Sequence, residues 1–137
     1  MNTIIIINVT QHSVTNDQIN DLENKFKEIA ILNPGGDMFR NSLTFTNMPS
    51  KEELSKVAKK IANDAFTMGA SYAIVAGAPY LMAHLEKEFF RLNIVPLYSF
   101  SERVSQEIKE PDGSVRKTNI FKHVGFIEAD ANVYEGY

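Results

Sequence analysis

Three short stretches carry the residue types that do chemistry. The first is Thr10-Gln11-His12, with Thr15 close behind. It places an imidazole, the side chain best suited to proton transfer near neutral pH, beside hydroxyl and amide groups. A lone loop histidine is either such a proton carrier or a hydrogen-bonded spacer at the surface. The second is Gly77-Ala78-Pro79-Tyr80, which has no charged or nucleophilic side chain. Pro79 suits the first turn of a helix, where its missing N–H costs nothing. Gly77 and Ala78 let a ligand approach the backbone. The N–H groups of Tyr80 and Leu81, with the helix dipole, are then expected to hold an anion. Tight packing of helix against strand explains the same small residues. No Gly-Lys-Ser/Thr follows and there is no GxGxxG, so neither the P-loop nor the dinucleotide pattern applies.

Ser99, Ser101 and Arg103 form the third stretch. Strand alternation sets them on one side if a strand runs that far. Arg103 would fork onto a phosphate, or else pair with Glu102 or Glu107 in solvent. Tyr80 suits stacking on a base as well as it suits a core. Arg116, Lys117 and Lys122 read as a solvated face, with a side clamp on phosphate as the second use. His12, His84 and His123 share no ligand spacing, so neither a metal site nor a cofactor is expected. No Ser–His–Asp arrangement can be read.

Positioning these residues requires a sheet. Ile4 to Val9 is an almost wholly apolar run, as in a strand covered on both faces. Thr15 and Gln18 have capping-box spacing, and Ile19, Leu22 and Phe26 continue with helical period. Ile29 to Leu32 is a second strand, stopped by Asn-Pro-Gly-Gly-Asp. Residues 37–49 fit a short strand or an ordered loop. Ser50 and Glu53 open the clearest helix, with Leu54, Val57, Ala58, Ile61, Ala65 and Met68 on one face and Gly69 at its end. Strand 72–76, helix 79–92 and strand 94–100 follow. A hairpin is then expected from the segments on either side of Glu-Pro-Asp-Gly. Residues 1–128 read as one domain and 129–137 as a flexible tail.

Alternating strands and helices imply a mainly parallel sheet with right-handed crossovers, closed by the antiparallel hairpin. Ligands collect beyond the carboxyl ends of such strands. Loops Thr10–Thr15, Gly77–Tyr80 and Ser99–Arg103 are expected to meet there.

Composition narrows the partners. The 137 residues are 44% hydrophobic and 23% charged, ordinary for a globular domain. With no cysteine there is no disulfide, thiolate site or cysteine nucleophile. A net charge of −3 argues against long nucleic acid, whose binders carry a basic face. Even the stretch from Arg103 to Lys122 mixes its cations with Glu107, Glu110 and Asp112. The opening MNTIIIINV has no basic leader or cleavage site and is too short to span a membrane, so a cytoplasmic protein is expected.

His12, Val14, Thr15 and Gln18 resemble the His-x-(Leu/Val)-Thr-x-x-Gln opening of small CRISPR-associated ring nucleases related to CARF domains. Pro96, Tyr98, Ser99, Arg103, Asp112, Gly113, Phe121, His123 and Phe126 are similar to the same group's closing segment. The middle stretch, AGAPYLMAHLE, is poorer in polar residues than that group's nucleotide loop. The resemblance implies a Rossmann-like, CARF-type three-layer α/β fold, a homodimer or higher homo-oligomer, and cyclic oligoadenylate bound across a two-fold cleft. It implies cleavage without metal, by attack of a ribose 2′-hydroxyl on its adjacent phosphate. His12 would then transfer the proton and Arg103 would stabilise charge. Gly77, Ala78, Pro79 and Tyr80 would cradle phosphate, and Thr10, Gln11, Ser99 and Ser101 would orient ribose and phosphate. The alternatives are a non-catalytic binder, or sponge, of a nucleotide-derived signal, and an interaction protein with no small ligand.

Overall fold

Isoleucines build the middle of the sheet. Strand β1 (Ile4–Val9) pairs in parallel with β2 (Ile29–Leu32) on one side and with β3 (Tyr72–Val75) on the other. β3 pairs in parallel with β4 (Val95–Lys109), and β4 pairs antiparallel with β5 (Val115–Glu128). The strand order is β2-β1-β3-β4-β5. The computed structural model describes residues 3–34 and 39–134, apart from the side chains of residues 40 and 134. The turn expected over 33–37 therefore lies partly outside the described residues, as do positions 135–137 of the expected tail.

Parallel strands need cover on both faces, and alternation along β1 supplies contacts to each. Ile7 and Val9 join Ala58, Ile61, Leu81 and Phe89, from helices α3 (Lys51–Thr67) and α4 (Pro79–Arg91), in one core. Ile6 turns the other way and meets Ile74, Leu97 and Leu22, the last from helix α1 (Asn16–Phe26). Ile6, Ile7 and Leu22 are fully buried. The fold is mixed α/β: a mostly parallel five-stranded sheet with helices on both faces and an antiparallel hairpin at one edge.

The helix starts follow their caps. Thr15 accepts the Gln18 N–H while the Gln18 side chain accepts the Thr15 N–H, completing the capping box. Ser50 Oγ accepts the Glu53 N–H at 3.1 Å. Gly69, at φ 82°, takes the left-handed position that closes α3. Between β2 and α3, Arg40–Leu43 make one helical turn, α2.

The last strands differ from expectation. No loop occupies 99–103, because β4 runs unbroken to Lys109 and each of those residues has a partner on β5. Only Val95, Pro96 and Leu97 are in register with β3; beyond them β4 leaves the sheet and pairs with β5 alone. The result is a two-stranded ribbon, and the polar residues that suggest a loop instead face solvent on it. Phe100 pairs with Gly125 and Ser101 with His123, so Val124 is the extra residue of a bulge. At the ribbon tip, Gly113 at φ 88° donates its N–H to the Glu110 carbonyl, closing the Pro-Asp-Gly turn. After β5, the Ala129 N–H donates to the Pro96 carbonyl, and Ala131–Tyr134 form a 3-10 turn. Among the described residues, no helix is long and apolar enough to cross a membrane.

Candidate functional site

The strand order reverses at β1: the chain leaves it through α1 on one face to reach β2, then crosses back through α3 on the other face to reach β3. Such a reversal opens a crevice beyond the carboxyl ends of the central strands. Asn8 anchors it. The side chain is 7% exposed within an otherwise apolar strand. Asn8 Nδ2 donates to the His12 carbonyl at 2.8 Å and to Asn33 Oδ1 at 3.0 Å. The Thr10 hydroxyl lies 2.7 Å from Asn8 Oδ1 and 2.9 Å from the His12 carbonyl, and it accepts the His12 N–H at 3.1 Å. A buried amide thus holds the loop after β1 in one shape. Gln11 reaches across to the Thr44 hydroxyl and ties that loop to the residues after α2.

Three adjoining clefts share His12. One, of about 390 Å³, lies between the 10–14 loop and Asn33, Pro34 and Phe39. A second, of about 170 Å³, runs past Gln18 and Ala76 to Ser99. The third, of about 320 Å³, lies between Gln11 and the Gly77-Ala78 junction, where Phe45 and Tyr80 stand with ring centroids 6.0 Å apart. Tyr80 is 51% exposed. Among the described lining residues there is no lysine, arginine or carboxylate. The surface offers hydroxyls, amides, main chain and one imidazole.

Thr10, Gln11, His12, Gly77, Ala78, Tyr80 and Ser99 therefore come together. Pro79, Ser101 and Arg103 line none of the three clefts. Arg103 lies over the Phe121 ring, 5.4 Å from its centroid, out along the ribbon. The expected pair of donors at α4 is also altered. The Leu81 N–H turns back to the Ala78 carbonyl at 3.0 Å, because the first turn tightens to satisfy its own donors. The Tyr80 N–H makes no backbone hydrogen bond among the described residues. A Cβ on Gly77 would stand 3.2 Å from Met82 Cε, so the missing side chain lets this junction pack closely on α4.

Another group was not foreseen. His123 Nε2 lies 2.9 Å from Asp21 Oδ2, and His123 Nδ1 lies 3.3 Å from Ser99 Oγ. The His123 side chain is 7% exposed. Its partner lies 102 positions away, and nothing local in the sequence signals the contact. Asn8 did carry a signal, as an amide inside an apolar strand.

The model of the family described as "Uncharacterized protein MJ1673 family" matches residues 4–127. The chain belongs to that family. The MJ1673-family match runs from the first residue of β1 to the last but one of β5, so crevice and ribbon both fall within it. No curated protein and no solved structure matches the chain.

Proposed function

We propose that this protein is a metal-independent phosphodiesterase that opens a cyclic oligoadenylate, on a Rossmann-like, CARF-type domain working in the cytoplasm. The observation that carries the reading is the junction of three clefts at His12, lined by uncharged hydrogen-bond donors and flanked by an exposed tyrosine. A ribose-phosphate ring needs donors for its anionic oxygens and a flat surface for a base, and both stand at this rim. The ribose 2′-oxygen attacks its adjacent phosphorus, the P–O5′ bond breaks, and a 2′,3′-cyclic phosphate remains. The Tyr80 N–H and the α4 dipole face the phosphate; Thr10, Gln11 and Ser99 orient the ribose. His12 is exposed, its imidazole makes no hydrogen bond among the described residues, and it protonates the leaving 5′-oxygen.

The working form is a homodimer. A two-stranded ribbon is barely stable alone. Here it exposes Phe100 (53%), Ile120 (42%), Phe121 (71%), Val124 (55%) and Ile127 (56%). The ladder sets Phe100, Ile120 and Ile127 on one face and Phe121 on the other, with Val124 in the bulge. At about 100 Å² each the first three give roughly 300 Å² of apolar surface toward the ~800 Å² that each partner buries in a standard interface. Arg103, on the same ribbon, would then reach phosphate from the second copy.

Incubation with cyclic tetra-adenylate in EDTA, followed by chromatography, tests the activity. A linear product ending in a 2′,3′-cyclic phosphate is expected. Intact ring after many hours at micromolar protein refutes the hydrolase; tight calorimetric binding with full recovery of the ring would make the protein a sponge.

A further inference from the structure

Ser99 faces the crevice, while the histidine behind it is almost wholly shielded from solvent. His123 bridges two groups, Asp21 through Nε2 and Ser99 through Nδ1. A carboxylate can only accept, so a neutral imidazole here carries its proton on Nε2 and leaves Nδ1 as an acceptor. The Ser99 hydroxyl therefore donates to Nδ1. The neighbouring amide is oriented by the same logic. Gln18 Oε1 accepts the Thr15 N–H at 2.9 Å, which turns Gln18 Nε2 toward Ser99 Oγ at 3.1 Å. Ser99 Oγ thus accepts one hydrogen bond and donates one, which leaves it a lone pair, and Ser99 lines the cleft it shares with Thr10 and His12. A hydroxyl, a base within reach, and a third group orienting that base make up the arrangement that activates an oxygen for proton removal.

We infer that Ser99 is the catalytic residue that takes the proton from the attacking hydroxyl, with His123 and Asp21 as positioning residues behind it. This deepens the ring-opening reading and rests on it. As the 2′-oxygen bonds to phosphorus, its proton passes to Ser99 Oγ, and the Ser99 proton passes to His123 Nδ1. Asp21 balances the imidazolium. The O5′ leaves with the P–O bonding pair and takes its proton from His12. When product departs, His123 returns its proton through Ser99 to solvent, and His12 regains its own from solvent. His123 is too enclosed to meet substrate directly, which is why the serine must stand between them.

A purely structural account, in which His123 only ties the ribbon to α1, predicts different results. The test compares wild type, Ser99→Ala, Ser99→Thr and Asp21→Asn in single- and multiple-turnover cleavage of cyclic tetra-adenylate, with thermal melts and nitrogen–proton correlation spectra of the histidine rings. Ser99→Ala removes the hydroxyl but leaves the His123–Asp21 pair that holds the fold. It is expected to melt within about 2 °C of wild type, keep KM within about threefold, and lose roughly 100-fold in kcat. Ser99→Thr restores at least about a tenth of the rate, and Asp21→Asn loses at least about tenfold. The spectra are expected to show His123 protonated on Nε2 in the wild type. An active wild type whose Ser99→Ala form keeps more than half of kcat, or whose His123 is protonated on Nδ1, overturns the relay alone. A wild type that leaves the ring intact overturns the ring-opening reading and Ser99's part in it together.

Discussion

Replacing Asn8 with valine removes three polar contacts while keeping side-chain volume nearly constant in a strand that favours β-branched residues. Asn8 Nδ2 serves the His12 carbonyl at 2.8 Å and Asn33 Oδ1 at 3.0 Å, and Asn8 Oδ1 meets the Thr10 hydroxyl at 2.7 Å. At a net ~1 kcal/mol per hydrogen bond the gross loss is about 3 kcal/mol. Two effects reduce it. His12 and Asn33 lie at an exposed rim, so water can serve the atoms left behind. Valine also buries apolar surface where the amide stood. A net destabilisation of about 2 kcal/mol remains, or a fall of roughly 5–8 °C in Tm for a chain of this size. Urea unfolding monitored by circular dichroism measures it, with an unchanged m-value expected. Amide exchange adds a local readout: residues 10–13 should lose protection while the α3 core keeps it. A change below about 0.5 kcal/mol together with an undisturbed 10–13 loop would refute the claim that this buried amide shapes the crevice.

Four further outcomes follow. His12→Ala is expected to lower turnover of cyclic tetra-adenylate about 100-fold with KM within about threefold; an unchanged kcat removes His12 from the chemistry. Arg103→Ala should weaken ligand binding about threefold or more at low salt and much less at high salt, as screening requires; calorimetry at two ionic strengths decides it, and equal affinities exclude the arginine. Ser substitution at both Phe100 and Ile120 should shift the protein from dimer to monomer in light scattering, and a wild type that is monomeric at about 100 µM refutes the interface. At the ribbon tip, the Ser114 hydroxyl and then the Ser114 N–H hold the Asp112 carboxyl below its ordinary value of 3.8. A lowered folded-state pKa means that this contribution is present above the ordinary value and is lost as pH falls through the folded one. The Ser114 amide resonance should therefore titrate with a midpoint under 3.8, and a midpoint at or above that value contradicts the turn geometry.

Much of the scaffold was legible because its causes are local. Ile4–Val9 and Ile29–Leu32 are continuous apolar runs, and both form strands over those spans. Thr15 with Gln18, and Ser50 with Glu53, mark helix starts through hydrogen bonds between residues three apart. Asp112 and Gly113 fix a turn for similarly local reasons. The ribbon was half legible. Its turn could be read, but the continuation of β4 through Ser99–Arg103 depends on partners from Phe121 to Phe126. The site divided in the same way. His12 and the Gly77–Tyr80 junction stand at strand ends, where topology alone points to a crevice. Whether the Leu81 N–H is available depends on how tightly one helical turn winds, which residue types do not specify. Asp21 and His123 meet only after α1 and β5 have packed together, so no spacing could reveal them.

β4 lies partly in two bodies. Three of its residues are laced into the parallel sheet, and from Ser101 to Lys109 it runs out with β5 for roughly 30 Å. Ser99 stands at the root of that beam, just before the bulge. A tilt of about 10° at the root carries the tip through roughly 5 Å while displacing the serine by a fraction of an ångström, on the scale at which proton transfer succeeds or fails. Whatever grips the far end therefore has mechanical advantage over the position of Ser99 at the root.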